Sequence, residues 1–71
     1  MKKSSKEIFA DRIKALRIQK GWSQDVLAAE AGVHRAYIGT IERCEKSVTL
    51  DTVDKFAKVF NVPVSDLFRS E

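Results

Sequence analysis

Residues 23–42 read SQDVLAAEAGVHRAYIGTIE, and their spacing decides the fold. Ser23 is a residue type whose hydroxyl caps helix N-termini, and Val26, Leu27 and Ala29 or Glu30 follow it at helical spacing. Gly32 then supplies the permissive backbone that a sharp reversal needs. A second helix is predicted to start near His34. Its Ile38 and Ile41 fall three apart, with Val33 just ahead of them, so one face is buried. Arg35, Ala36, Gly39, Thr40 and Arg43 are left pointing outward, and this outward face is the candidate reading surface.

Elements on either side complete an all-α pattern. Met1 to Lys3 read as a mobile basic tail, and Ser4 with Glu7 three residues on fits a capping box that starts a first helix. Ile8 or Phe9, Ile13 and Leu16 mark its apolar stripe, and Lys20-Gly21 ends it. Trp22 reads as a core or half-buried packing residue, and Ala28 and Ala29 are small enough for close helix approach. After the central motif, Thr49 is an N-cap for a fourth helix carrying Leu50, Val53, Phe56 or Ala57, and Phe60, ended by Asn61. Pro63 suits the first turn of a short fifth helix, VSDLF. Its Val64, Leu67 and Phe68 are too apolar for a short exposed segment.

Composition narrows the classes. A chain of 71 residues makes one small domain (residues 1–71), which buries only about 60% of its exposable surface and gains from a partner. Hydrophobic residues at 44% and charged residues at 32% give ordinary globular composition, which argues against disorder. No apolar run approaches the roughly 20 residues of a membrane span, and no signal-peptide core follows MKKSSK, so a cytoplasmic protein without membrane contact is expected. Cys44 is the single cysteine and has no disulfide mate; with His34 it is too little for a metal site, so no metal or other cofactor is expected. One His, one Cys and no Gly-rich phosphate loop leave almost nothing from which to build an enzyme site. The net charge of +3 favours an anionic partner, and Arg35, Arg43 and Lys46 gather on or just after the second helix of the motif.

The run SQDVLAAEAGV followed by RAYIGTIER resembles the helix-turn-helix of the lambda-repressor and Cro-like (XRE-type) bacterial regulators, and within it RAYIGTIER most resembles the controller proteins of restriction-modification systems. The resemblance runs from about Ile8 to Phe68. It implies a five-helix lambda-repressor-like domain, with the helix-turn-helix at 23–42 and a dimerisation helix at 62–69. It also implies sequence-specific binding of duplex DNA, as a homodimer on a roughly palindromic operator, to regulate transcription. A phage-type or housekeeping repressor, or an antitoxin-like module that binds protein with the same fold, are the alternatives. No small-molecule ligand is expected, because no sensing domain fits in 71 residues.

Site residues follow from the resemblance. The N-terminus of a recognition helix reaches base edges, which places Arg35, Ala36 and, one turn on, Thr40 there. Arg35 would bind guanine through two hydrogen bonds, Ala36 would pack on a thymine methyl, and Thr40 would do either weaker job. Ser23 and Gln24 stand at a helix N-terminus aimed at a phosphate, where unpaired N–H groups attract an anion. In the family, the glutamine at Gln24 also donates to the backbone and braces the start of the recognition helix. Tyr37 either packs its ring or offers its hydroxyl to a phosphate. Arg43, Lys46 and Ser47 are further backbone contacts, with Lys46 at a position where controllers carry a basic residue. Arg17 and Glu42 occupy positions that form an ion pair in the family; without that pairing they are two solvated charges. Val62, Val64, Leu67 and Phe68 would form the two-fold interface, with burial inside the monomer as the alternative. Cys44 departs from the family, which has glycine after IER; a positive φ there would cost a cysteine steric energy.

Overall fold

The computed structural model of the chain describes residues 3–69. Four α-helices, α1 (Ser5–Gln19), α2 (Gln24–Ala31), α3 (Arg35–Glu42) and α4 (Leu50–Phe60), are followed by a one-turn 3-10 helix (Val64–Phe68). No strand occurs among the described residues. The fifth helix expected from the sequence is therefore shorter and tighter than an α-helix, since five residues allow few i to i−4 bonds. Of the expected basic tail, Met1 and Lys2 lie outside the described residues. Lys3 is no free end, because its ammonium pairs with Asp11 on α1.

Starts and stops of the helices follow local chemistry. Ser4 accepts from Glu7 N while Glu7 Oε1 accepts from Ser4 N at 2.8 Å, closing a capping box. The hydroxyls of Ser23 and Thr49 cap α2 and α4 by accepting from Val26 N and Thr52 N. At the other end, all four α-helices finish in the same paired-bond motif. Trp22 N reaches Arg17 O, Val33 N reaches Ala28 O, Glu45 N reaches Thr40 O and Val62 N reaches Ala57 O, at 2.9 to 3.0 Å. Each motif requires one left-handed residue: Gly21, Gly32, Cys44 and Asn61, with φ of 73°, 68°, 59° and 55°. Glycine and asparagine suit that conformation; Cys44 does not, and carries the steric cost of its Cβ.

One core joins every element. Phe9, Ile13 and Leu16 of α1 pack with Leu27, Ala28 and Ala31 of α2, Ile38 and Ile41 of α3, Val53, Phe56, Ala57 and Phe60 of α4, and Leu67. Phe9 meets Phe56 edge-on at 6.2 Å and Phe68 at 5.5 Å, while Trp22 is half-buried and stacks on Phe60 at 5.8 Å. Several sequence expectations shift. Phe9 rather than Ile8 is the buried member of its pair, and both Phe56 and Ala57 are buried. Val26 and Leu50 stand exposed, because α2 buries its Leu27–Ala28–Ala31 face and Leu50 opens the first turn of α4 outside the core. Leu67, expected at a dimer interface, is fully buried within the monomer. The 3-10 turn carrying it is fastened to α1 by Arg12, whose Nε donates to Asp66 O at 2.9 Å and whose Nη2 lies 3.7 Å from the Asp66 carboxylate.

Candidate nucleic-acid interface

The two helices of the motif are locked by a single carboxylate. Glu42, with a side chain only 5% exposed, accepts from Arg17 Nε at 2.7 Å, Arg17 Nη2 at 3.1 Å and Gln24 Nε2 at 3.1 Å. Arg17 Nη1 donates to Trp22 O at 2.9 Å. The end of α3, the last turn of α1, the start of α2 and the loop between α1 and α2 therefore meet at one point. Gln24 braces α3 as the resemblance implies, but through the Glu42 side chain and not through backbone. That bond uses one of the two N–H groups of its amide, and the other is left for a phosphate.

With α3 fixed at its C-terminal end, its outer face is defined. Arg35 and Ala36, its first two residues, are exposed. His34 precedes them as an N-cap without a side-chain bond. Arg35 pairs across the turn with Asp25 of α2, Nε to Oδ1 at 3.1 Å, with both side chains more than half exposed. Thr40 is half-buried, and its hydroxyl donates to Tyr37 O at 2.7 Å, so its oxygen remains only as an acceptor for another group. Tyr37 packs its ring against the core and directs its hydroxyl toward Thr52 Oγ1 at 3.5 Å.

Gly39, expected on the outward face, is buried, and the cover comes from its own helix. A Cβ there would stand 3.0 Å from Arg43 Nη1, so the Arg43 guanidinium lies over the gap that glycine leaves. Glu45 holds that guanidinium from the side, with Arg43 Nε donating at 2.9 Å and Nη2 at 3.2 Å. Cys44, in the left-handed conformation with φ of 59°, stands between the two partners. The contact holds the Glu45 carboxyl below the ordinary carboxylate range, chiefly through the hydrogen bond from Arg43. Lys46 and Ser47 follow, exposed, and no hydrogen bond or ion pair holds Lys46 among the described residues.

At the start of α2, Ser23 satisfies Val26 N and leaves the N–H groups of Gln24 and Asp25 without intrahelical partners, on the same side of the motif as Arg35. The sequence reading missed five ion pairs among the described residues: Asp25–Arg35, Glu45–Arg43, Arg12–Asp66, Lys3–Asp11 and Arg69–Asp66. Of the remaining residues assigned to a two-fold interface, Val62 is half-buried against the core, while Val64 and Phe68 are 41% and 37% exposed. No group of His, Cys, Asp and Glu among the described residues is placed to hold a metal ion, and no described helix is long and apolar enough to cross a membrane.

Comparison with known proteins places this geometry. A family model described as helix-turn-helix (HTH_3) matches residues 13–67. The control protein C.SmaI of Serratia marcescens is 44% identical over 62 residues, covering 87% of this chain and 74% of that protein. C.BamHI of Bacillus amyloliquefaciens is 38% identical over 61 residues, covering 84% and 75%. The crystal structure of the restriction-modification controller C.AhdI from Aeromonas hydrophila superposes with a TM-score of 0.83 at 35% identity, over 89% of this chain and 96% of that one. The chain therefore belongs to the XRE-type helix-turn-helix family of DNA-binding transcription regulators, and among its relatives are restriction-modification control proteins.

Proposed function

We propose that this protein reads a specific duplex-DNA operator as a homodimer and thereby controls transcription of a restriction-modification system. The observation that carries the reading is the exposed N-terminal turn of α3, where Arg35 and Ala36 stand clear of the core on a helix braced by Glu42. Set into a major groove, this turn brings Arg35 to guanine acceptors and Ala36 to a thymine methyl, with the Thr40 oxygen one turn behind. The free N–H groups at the start of α2 and the side chains of Lys46 and Ser47 supply phosphate contacts that fix orientation. Tyr37 and Arg43 are placed as secondary contacts, since each already has a partner in the free protein. The controller assignment is supported by the likeness to C.SmaI, C.BamHI and C.AhdI.

Two copies would meet through Val64 and Phe68, the apolar side chains that the 3-10 turn leaves outside. A two-fold axis there places two recognition helices in successive major grooves, about 34 Å or 10 base pairs apart. Such a protein works where the DNA is, in the cytoplasm, and its occupancy of the operator follows its own concentration through dimerisation. Equilibrium binding to a preferred and a scrambled duplex tests the assignments. Arg35→Ala should weaken the preferred duplex by about 1–3 kcal/mol more than the scrambled one. Lys46→Ala should weaken both alike and make the salt dependence shallower by about one unit. Equal loss on both duplexes for Arg35→Ala would overturn its role as a base reader.

A further inference from the structure

The two exposed arginines at the two ends of α3, Arg35 as its first residue and Arg43 just past its last, are each paired with a carboxylate, and the pairings differ in a way that matters for base reading. Glu45 takes Arg43 side-on, through Nε and Nη2, and so occupies one of the two forks a guanidinium can offer. Asp25 approaches Arg35 closest at Nε, at 3.1 Å, as an ion pair without a hydrogen bond, and the two Nη groups of Arg35 hold no hydrogen bond among the described residues either. The end-on fork of Arg35 is left open. Guanine presents two acceptors, O6 and N7, side by side in the major groove, and an end-on fork matches them.

We propose that Asp25 is a specificity-determining positioning residue, whose charge stands against the Nε edge of Arg35 and leaves the two Nη groups for a guanine of the operator. The inference rests on the duplex-DNA reading of α3 given above. Asp25 and Arg35 sit on different helices, as the second residue of α2 and the first of α3, and the rigid packing of these helices sets the direction of the pair. In the free protein the pair is exposed and adds little to stability. Against DNA, water is displaced and the local dielectric falls, so the same contact strengthens where it is needed. An arginine held in its binding rotamer also loses less conformational freedom on docking.

The carboxylate acts with opposite signs on the two classes of DNA. On an arbitrary sequence it neutralises Arg35 and faces phosphates, which weakens binding. On the cognate sequence it stays in contact with Arg35 while the open fork takes guanine. Its net effect is discrimination at the expense of general affinity.

Those signs define the test. Binding of the wild type, Asp25→Ala, Arg35→Ala and the double variant is measured on the duplex enriched from a random pool, on the same duplex with its contacted guanine replaced, and on a scrambled duplex. Thermal melts confirm that each variant is folded. Asp25→Ala is expected to bind the scrambled duplex as tightly as the wild type or up to several-fold tighter, while its preference for guanine falls about tenfold. In the Arg35→Ala background, the same change should leave the preference where Arg35→Ala put it. If Asp25→Ala tightens all three duplexes equally, Asp25 is a repulsive charge and the proposal fails. It fails equally if the preference drops in the Arg35→Ala background as well. A wild type that does not discriminate among the duplexes removes the DNA reading and this proposal together. A wild type that discriminates through Arg35 but is insensitive to Asp25→Ala removes this proposal alone.

Discussion

Glu42→Ala removes the group on which four segments converge. The lost carboxylate accepts three hydrogen bonds, two from Arg17 and one from Gln24, and leaves a guanidinium only 13% exposed with its bond to Trp22 O. Removing one partner of a buried pair costs about 3–5 kcal/mol, because the other charge stays buried without its counterpart. Residual exposure of Arg17 and its carbonyl partner put the expected loss near the lower end, at about 3 kcal/mol. A domain of this length has about 4–11 kcal/mol of total stability, so the loss is about a quarter of it or more. The melting temperature, followed by far-UV circular dichroism, should fall by roughly 12–24 °C. Protein concentration must be held fixed, since a dimer's midpoint depends on it. A companion variant, Arg17→Met with Glu42→Leu, fills the same space without charge and should melt closer to the wild type than Glu42→Ala does. A Glu42→Ala protein that melts within about 4 °C of the wild type would show that the convergence contributes almost nothing, and the reasoning would be wrong.

Three further perturbations probe the end of α3 and the first turn of α1. Cys44→Gly removes the Cβ from a left-handed residue and should stabilise the protein by roughly 0.5–1 kcal/mol; a lower melting temperature would contradict the strain argument. Glu45→Gln releases Arg43 for phosphates and should steepen the plot of log K against log salt on random duplex by about 0.9. The same slope as the wild type would mean that Arg43 never reaches DNA. Glu7 titrates below the ordinary carboxylate range because Ser4 N donates to it, so the folded state binds its proton more weakly than the unfolded state. Its contribution is present at neutral pH and lost as pH falls through the depressed folded value. The gap between wild-type and Glu7→Gln melting temperatures should therefore close below the carboxylate range; a gap that stays constant from pH 7 to pH 3 counts against the capping box.

The sequence carried the architecture well and the polar geometry poorly, for a physical reason. Helix positions followed from local signals that sit within one turn: Ser4 with Glu7, Ser23, Thr49, and the left-handed stops at Gly21, Gly32 and Asn61. The core stripes of α1, α3 and α4 followed from helical periodicity, which depends only on neighbours three and four residues apart. What escaped depends on where two elements are placed in space. Asp25 and Arg35 lie ten positions apart and meet only because the turn at Gly32 sets the angle between α2 and α3. Arg12 reaches Asp66 across 54 residues. The burial of Leu67 follows from that fastening, and a short apolar segment at the end of a chain reads the same whether it covers its own core or a partner's. The position of Gly39 on the helix points outward, and its cover is a long arginine side chain folded back from the next turn.

Selection of binding sites from a random duplex pool, at near-physiological salt and with the purified chain, tests the central claim most directly. The account expects enrichment of a two-fold symmetric motif whose half-sites lie about 10 base pairs apart, each containing a guanine whose selection is lost with Arg35→Ala. Failure to enrich any duplex sequence, from a protein shown by its melt to be folded, would contradict it.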